Sequence, residues 1–339
     1  MAGYYKILSL IFCFFVSAAC ISAKDNTVYL QKKLNHRISK MSLHEKIGQM
    51  FVISPESLNQ DSEIKYVTEF SNEMAAYYKQ YPAGGFIIFS ENIEDEKQLK
   101  KLNKKLHSIG KNRPLIFVDE EGGRVARLAK TEALCLHNVG SMSVIGNSKD
   151  TKAAFEAGKY IGSYLKEFDF DVDFAPVADI NSNSMNTVIG DRAFSADPEI
   201  VAKMSVAFME GLKKSGVAGC FKHFPGHGDT MTDTHSGYAE TVKTWNELLN
   251  CEMIPFVAGI ENNVPFIMTA HVAVPSVTGC RLPATVSGEV LTEKLRNELH
   301  FEGIIITDAM NMGAISKHFT QSEAAVQAIL AGGDIILFP

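Results

Sequence analysis

"GIIITDA" occupies residues 303–309. Three successive isoleucines leave no alternation between an apolar and a polar face. The stretch therefore reads as a strand buried on both sides, as in a parallel sheet covered on each face. It then ends in a carboxylate, Asp308. Seven other short runs have the same look: IGQMFVI (47–53), GGFIIF (84–89), PLIFVDEE (114–121), DVDFAPVADI (171–180), GVAGCFKHF (216–224), PFIMTAHV (265–272) and DIILFP (334–339). Segments of helical period lie between them. KQLKKLNKKLHSI (97–109) places Leu99, Leu102, Leu106 and Ile109 on one face and lysines on the other. EIVAKMSVAFMEGLKKSG (199–216) has a similar stripe and stops at a glycine after two lysines. SGEVLTEKLRNELHF (287–301) is a third case, with Ser287 as its expected N-cap.

Eight β runs alternating with helices predict an α/β fold, a (β/α)8 TIM barrel. An open doubly wound sheet is the alternative, but no Gly-x-Gly-x-x-Gly follows the first run. The eighth run reaches Pro339, so the final helix is expected to be lacking from this chain. That expectation fits a fragment of a longer protein with a further C-terminal segment.

A length of 339 residues suits one large barrel domain. A net charge of -6 offers no basic footprint for nucleic acid. The first 23 residues stand apart and predict a signal peptide. Lys6 precedes ILSLIFCFFVSAAC, a run too short for an ordinary membrane span, which argues against a retained anchor helix. Ser17-Ala18-Ala19-Cys20 resembles a bacterial lipobox, although Ser17 is not the usual aliphatic residue. Lipidation would make Cys20 the anchored N-terminus, and the membrane would be a partner only through that lipid. Cleavage after Ala23 would release a soluble protein. Either exit predicts export, to the periplasm or as an outer-membrane lipoprotein. Cys135, Cys220, Cys251 and Cys280 are scattered, with no CxxC pair, and Cys220 reads as a small core residue.

Barrel active sites lie at the C-terminal ends of the strands. The polar residues there fall in order: Asp119, Glu120 and Glu121, then Arg127; Asp179, then Asp191 and Arg192; Lys222 and His223; His271; Asp308. A carboxylate closing a rigid strand is well placed as a nucleophile, though an Asp there also suits a helix N-cap. Two arginines near one pocket suggest a polyhydroxylated or anionic ligand, or else surface ion pairs. KHFPGHGDTMTDTH (222–235) crowds three histidines and two aspartates onto a segment too rich in Gly and Pro for a helix interior. Metal ligation, proton transfer and a plain turn all fit that composition.

The 222–235 string, with FVDEEGGRVARL (117–128), VIGDRAF (188–194) and ITDAM (306–310), resembles glycoside hydrolase family 3, bacterial β-N-acetylhexosaminidase branch. The similarity runs from MSLHEKIGQM (41–50) to AGGDIIL (331–337). It implies a catalytic barrel domain over 24–339 and a retaining exo-glycosidase acting on terminal β-linked N-acetylglucosamine. Peptidoglycan fragments or chitooligosaccharides are the implied carbohydrate substrates, with no metal or other cofactor. It places Asp308 as nucleophile and the His235–Asp233 pair as general acid/base on a mobile loop. Asp119, Arg127, Arg192, Lys222 and His223 become sugar-binding residues. Asp-Thr-His at 233–235 departs from the commoner Asp-Ser-His but keeps the hydroxyl. The rivals are a phosphorylase or β-glucosidase of the same family, a metal-dependent hydrolase built on His223, His227, Asp229, Asp233 and His235, and a non-catalytic sugar-binding lipoprotein.

Overall fold

A computed structural model describes residues 29–61, 63–232 and 239–338. The chain divides into a unit up to Ile47 and a second from Gly48 onward. In the first, residues 29–40 form a helix exposed along its whole length. A short helix, Leu43–Gly48, follows it. Its start is reciprocally capped: the Ser42 hydroxyl accepts from the Glu45 amide (3.1 Å) and the Glu45 carboxylate from the Ser42 amide (2.9 Å).

The second unit holds eight parallel strands: β1 (Phe51–Ile53), β2 (Gly85–Ile87), β3 (Leu115–Val118), β4 (Val172–Asp173), β5 (Ala218–Phe224), β6 (Phe266–Thr269), β7 (Ile304–Thr307) and β8 (Ile336–Leu337). Their order is β7-β6-β5-β4-β3-β2-β1-β8, so Phe51 pairs with Ile336. A single bridge between Ile306 and Ile335 spans the remaining β7–β8 seam. There the amides of Asp334 and Ile335 donate to the Ile305 carbonyl (2.8 and 3.1 Å) and the Thr307 amide to the Ile335 carbonyl (3.0 Å). The result is a nearly closed (β/α)8 barrel. Seven helices follow the first seven strands: α1 (Asn72–Gln80), α2 (Glu96–Ser108), α3 (Thr151–Glu167), α4 (Pro198–Lys214), α5 (Met253–Glu261), α6 (Glu289–Glu298) and α7 (Gln321–Ala331).

The barrel explains why the strand runs lack alternation. Val52, Ile87, Phe117, Val172, Cys220, Met268, Ile306 and Leu337 fill one cluster with Phe174 and Phe266. Phe174 stacks on Phe117 (5.2 Å between centroids), and Phe266 meets Phe117 edge-on (6.1 Å). The alternate residues Phe86, Ile116 and Val118 pack instead with Leu99, Leu102 and Leu106 of α2. Both faces of each strand are thus apolar because both are covered.

Helix boundaries follow local chemistry. The Asp95 carboxylate caps α2 by accepting from the Gln98 amide, and Asp197 caps α4 ahead of Pro198. At α6 the expected bond from Ser287 is made, since its hydroxyl accepts from the Val290 amide at 3.4 Å. That helix has π-type turns, ending with the Leu299 amide on the Lys294 carbonyl (2.9 Å). The fourth strand is much shorter than the 171–180 run suggests. Pro176 has no amide to give the ladder, and beyond it only the Ala178 amide reaches β5, at the Lys222 carbonyl (2.7 Å). A small outer sheet was not foreseen. Met231–Thr232 pairs antiparallel with Ala239–Glu240, which pairs parallel with Val272–Ala273.

Helices α3 and α4 meet through glycine. A Cβ on Gly158 would stand 2.1 Å from the Phe208 carbonyl oxygen, and one on Gly211 2.2 Å from that of Phe155. Alanine is the better helix former by ~1 kcal/mol, so propensity alone would make Gly158→Ala stabilising. The clash is with rigid backbone, and we expect a net loss of about 1–3 kcal/mol. Urea denaturation of Gly158→Ala checks the sign.

Candidate active site

The strand ends converge on one charged network. Lys222 lies on β5 and is only 2% exposed. Its Nζ is 2.8 Å from Asp119 Oδ1 and 2.6 Å from Glu121 Oε1, both just past β3. Glu121, equally buried, also receives Arg192 in a two-pronged pair, Nε to Oε2 at 2.8 Å and Nη2 to Oε1 at 2.7 Å. Arg192 Nη2 lies 3.4 Å from His223 Nε2, and His223 Nδ1 donates to Asp179 Oδ2 at 2.6 Å. Asp179 also accepts from the amides of His223 (3.1 Å) and His227 (2.6 Å). Neighbouring residues on a regular strand point to opposite faces. The pairing of β5 with β6 shifts register between Lys222 and Phe224, which allows Lys222 and His223 to join the same network.

The fields in this network set the protonation states. Burial alone would raise the Glu121 carboxyl, but Lys222 and Arg192 outweigh it and bring it down to about 2. Lys222 is disfavoured by burial as a cation, yet Asp119 and Glu121 raise its pKa above the ordinary lysine value. Asp179 is likewise held low against its burial, chiefly by His223 and then His227.

Asp308 follows β7 and is half-buried. Its amide donates to the Thr269 carbonyl (3.2 Å), and its Oδ1 accepts from the Ala309 amide (2.7 Å). Burial pushes its carboxyl upward, but His223, His271, the Ala309 amide and Lys222 hold it below the usual carboxylate range. It is therefore ionised at neutral pH. The short helix that follows is flanked by Met312, so Asp308 is not its cap. His271, one strand over, contacts Thr285 Oγ1 (2.9 Å) and the Ala309 carbonyl (3.0 Å). Burial pushes its imidazole below the ordinary value, with Asp308 as the main opposing field.

Arg127 is the least committed cation of the group. Its Nη2 is 3.5 Å from Asp119, its guanidinium lies 5.8 Å from the Phe89 ring centre, and its Nε has no hydrogen-bond partner among the described residues. Glu120 has a different job. Buried, it accepts from the amides of Arg127, Leu128 and Ala129 and from the Tyr164 hydroxyl, all within 2.9 Å. It folds the 120–129 loop that carries Glu121 and Arg127.

The 222–235 segment begins rigidly. The His227 ring meets Thr230 Oγ1 at 2.8 Å, and Asn186 Nδ2 donates to the His227 carbonyl at 2.6 Å. A Cβ on Gly228 would stand 1.7 Å from the Ile180 carbonyl oxygen, so this backbone contact requires glycine. Lys243 ties Asp229 (3.1 Å) to the buried Glu252 (2.5 Å). Asp233 and His235 lie outside the described residues. The strands on either side of them, Met231–Thr232 and Ala239–Glu240, join the outer sheet at Val272–Ala273, next to His271. Among the described residues, no three His, Cys, Asp or Glu side chains are grouped to hold a metal.

The sequence profile of the glycosyl hydrolase family 3 N-terminal domain matches residues 42–339. The chain belongs to glycosyl hydrolase family 3. It is 33% identical over 289 residues to β-hexosaminidase A of Pseudoalteromonas piscicida, a match covering 80% of this chain and 48% of that protein. The chain thus spans about half the length of that relative. It is 35% identical over 255 residues to a β-hexosaminidase of Hydrogenovibrio crunogenus, covering 75% of this chain and 71% of the relative. Among solved structures, a family 3 β-N-acetylglucosaminidase from a Paenibacillus species superposes with a TM-score of 0.78 at 36% identity, over 88% of this chain and 55% of that one. NagZ from Neisseria gonorrhoeae, solved with N-trifluoroacetyl-D-glucosamine, gives 0.73 at 29%, over 86% and 80%.

In this family 3 barrel, Asp119, Lys222, His223, Arg192 and Arg127 form one connected group. Sequence reasoning placed Glu121 and Asp179 at strand ends, gave Glu121 no role and left Asp179 open between a functional carboxylate and a helix N-cap. Their signal was present: each is a carboxylate at the end of a buried run, where the lysine and histidine that close the β5 run need partners.

Replacing Glu121 by Gln leaves Lys222 and Arg192 short of one buried counter-charge. We expect a loss of about 3–5 kcal/mol at pH 7. Because the folded pKa of Glu121 is depressed, its contribution is complete above the unfolded value near 4.5 and disappears as pH falls towards about 2. Denaturant titrations of both proteins across that window should converge at the acid end.

Proposed function

We propose that the protein is a retaining exo-β-N-acetylglucosaminidase. It removes terminal, non-reducing β-linked N-acetylglucosamine from peptidoglycan fragments or chitooligosaccharides. The observation that carries this reading is Asp308: an ionised carboxylate at the end of β7, in a family 3 barrel similar to proteins named β-hexosaminidases.

In the first step an Asp308 oxygen attacks the anomeric carbon as the bond to the leaving oxygen breaks, giving a glycosyl ester. His235 delivers the proton that the leaving oxygen needs. Asp233, two residues away, accepts a hydrogen bond from the other ring nitrogen and stabilises the imidazolium of the resting acid. In the second step His235 takes a proton from water, the hydroxide oxygen bonds the anomeric carbon, and Asp308 leaves. Two displacements retain the β configuration, and one water is consumed.

Asp119, Arg127, Lys222, His223 and Arg192 bind the sugar hydroxyls. Their charge balance supports a neutral ligand. Lys222 and Arg192 are already matched by Asp119 and Glu121, and Asp179 and Asp308 add further negative charge. Arg127 keeps an unused Nε donor for a hydroxyl or carbonyl oxygen. We also read the first 23 residues as holding an export signal, with lipid attachment at Cys20 or cleavage after Ala23 as its two exits, on an exported bacterial protein.

Asp308→Asn should lower kcat on nitrophenyl β-N-acetylglucosaminide by about 10⁴-fold. Unchanged turnover would remove Asp308 from the mechanism. His235→Ala should cost about 10²–10⁴-fold on a sugar leaving group and much less on nitrophenolate, which leaves without a proton. A panel of nitrophenyl β-GlcNAc, β-GalNAc, β-glucoside and β-xyloside should favour the first. Equal turnover with and without phosphate is the expected result for water as acceptor, and a glycosyl phosphate product would reassign the enzyme as a phosphorylase.

A further inference from the structure

On the reading of Asp308 as the nucleophile, we infer that His271 is a positioning residue for it, and that only the neutral imidazole supports attack by that carboxylate. His271 lies just past β6 and is 5% exposed. Its Nε2 is 3.0 Å from the Ala309 carbonyl. A carbonyl oxygen can only accept, so this nitrogen carries the ring proton even when the ring is neutral. The amide of the same peptide unit, on Met310, donates to the Leu337 carbonyl at 3.0 Å. That peptide is therefore clamped between the ends of β6 and β8. Holding Ala309 in this way aims its own amide at Asp308 Oδ1 (2.7 Å), while the Asp308 amide is tied to the Thr269 carbonyl (3.2 Å). One carboxylate oxygen is thus fixed by backbone, which leaves the other as the attacking atom.

The other ring nitrogen meets a hydroxyl that can serve either charge state. Thr285 Oγ1 is 2.9 Å from His271 Nδ1, from Thr269 Oγ1 and from the Ala270 carbonyl. With a neutral ring, Thr285 donates to Nδ1 and accepts from Thr269. With an imidazolium, Nδ1 donates to Thr285, and the Thr285 proton turns to the Ala270 carbonyl. Both forms keep the bond to Ala309, so protonation changes the charge beside Asp308 and leaves its placement intact. That charge matters because the glycosidic transition state is positive at the anomeric carbon, where the field of Asp308 stabilises it. An imidazolium offsets this field and makes the carboxylate a weaker nucleophile. Burial favours the neutral ring, against the field of Asp308, and His223 from β5 also disfavours the cation. Lys222 on β5 is committed to Asp119 and Glu121. The Ala284–Val286 turn that brings Thr285 carries no charge, and Glu240 on the outer strand is paired with Arg281 at 3.1 Å.

The test compares His271→Gln, His271→Asn and Asp308→Asn in the full chain, with nitrophenyl β-N-acetylglucosaminide as substrate and thermal unfolding as the folding control. A glutamine amide can take the place of Nε2 and donate to Ala309, but it cannot titrate. An asparagine amide reaches only the place of Nδ1. At neutral pH we expect His271→Gln to keep kcat within about threefold and His271→Asn to lose about 10–10²-fold, with KM changed by less than about threefold in both. The parent's kcat/KM should fall on the acid side with an inflection below about 6.5, and His271→Gln should move that inflection down by at least about one pH unit. Parental kcat in His271→Asn, no better kcat in His271→Gln than in His271→Asn, or an acid limb unmoved by His271→Gln overturns the inference. Where His271→Asn fails to fold, the acid limb of His271→Gln decides alone. Parental turnover in Asp308→Asn removes the nucleophile reading itself, whatever the His271 variants do. Loss of turnover in Asp308→Asn beside an unmoved acid limb in His271→Gln removes only the role of His271.

Discussion

A lysine ammonium buried between two carboxylates fixes the mouth of this barrel. Lys222 cannot stay charged in that position without Asp119 and Glu121, and they cannot both be ionised there without it. Glu121 has a second use for its charge, holding Arg192, which reaches towards His223, which in turn rests on Asp179. Residues from β3, the β4 loop and β5 are thereby placed relative to one another by strong directional contacts. None of them relies on a long flexible side chain finding its own position. The cost of ordering is met when the protein folds, and a ligand arriving at the mouth meets donors and acceptors already aimed.

The loop after β5 has two mechanical halves. Its first half is clamped to Asp179, Asn186, Ile180 and the Lys243–Glu252 pair. Its second half leaves and returns through short strands that attach to the continuation of β6. His271 sits at that attachment and also touches the peptide beside Asp308. The short strands Met231–Thr232 and Ala239–Glu240 and the end of β7 are therefore both referenced to β6.

The strands were legible because burial on both faces leaves a distinctive mark, an unbroken apolar run closed by a polar residue. Helices α2 and α4 were legible from their apolar stripes, and α4 also from its glycine stop. Lys222, His223 and Asp308 stood out because each interrupts or ends such a run. Pairing was less visible. The sequence places Glu121 and Asp179 past the ends of β3 and β4 but does not tell which cation stands opposite, since that depends on register across strands far apart in sequence. The arginines illustrate the same limit: sequence left each open between a ligand and an ion pair, and in the fold Arg192 is paired with Glu121 while Arg127 Nε has no hydrogen-bond partner among the described residues. The outer sheet was invisible because strands of two residues carry no periodic signal. The proposed proton-transfer pair, Asp233 and His235, rests on its sequence motif.

The closure of the ring has a consequence for how the molecule is made. Phe51 is hydrogen-bonded into register with Ile336, so the first strand finds its second neighbour only in the last of the eight strands. Until then the outer edges of β1 and β7 present unpaired amides and carbonyls, and the loop that must close is almost the whole domain. Barrel completion is thus a late event in a chain fed out from its N-terminus. Helix α2, with its lysine-covered outer face, and the tightly meshed α3–α4 pair form from sequence-local contacts well before it, shielding the half-built sheet from neighbouring chains.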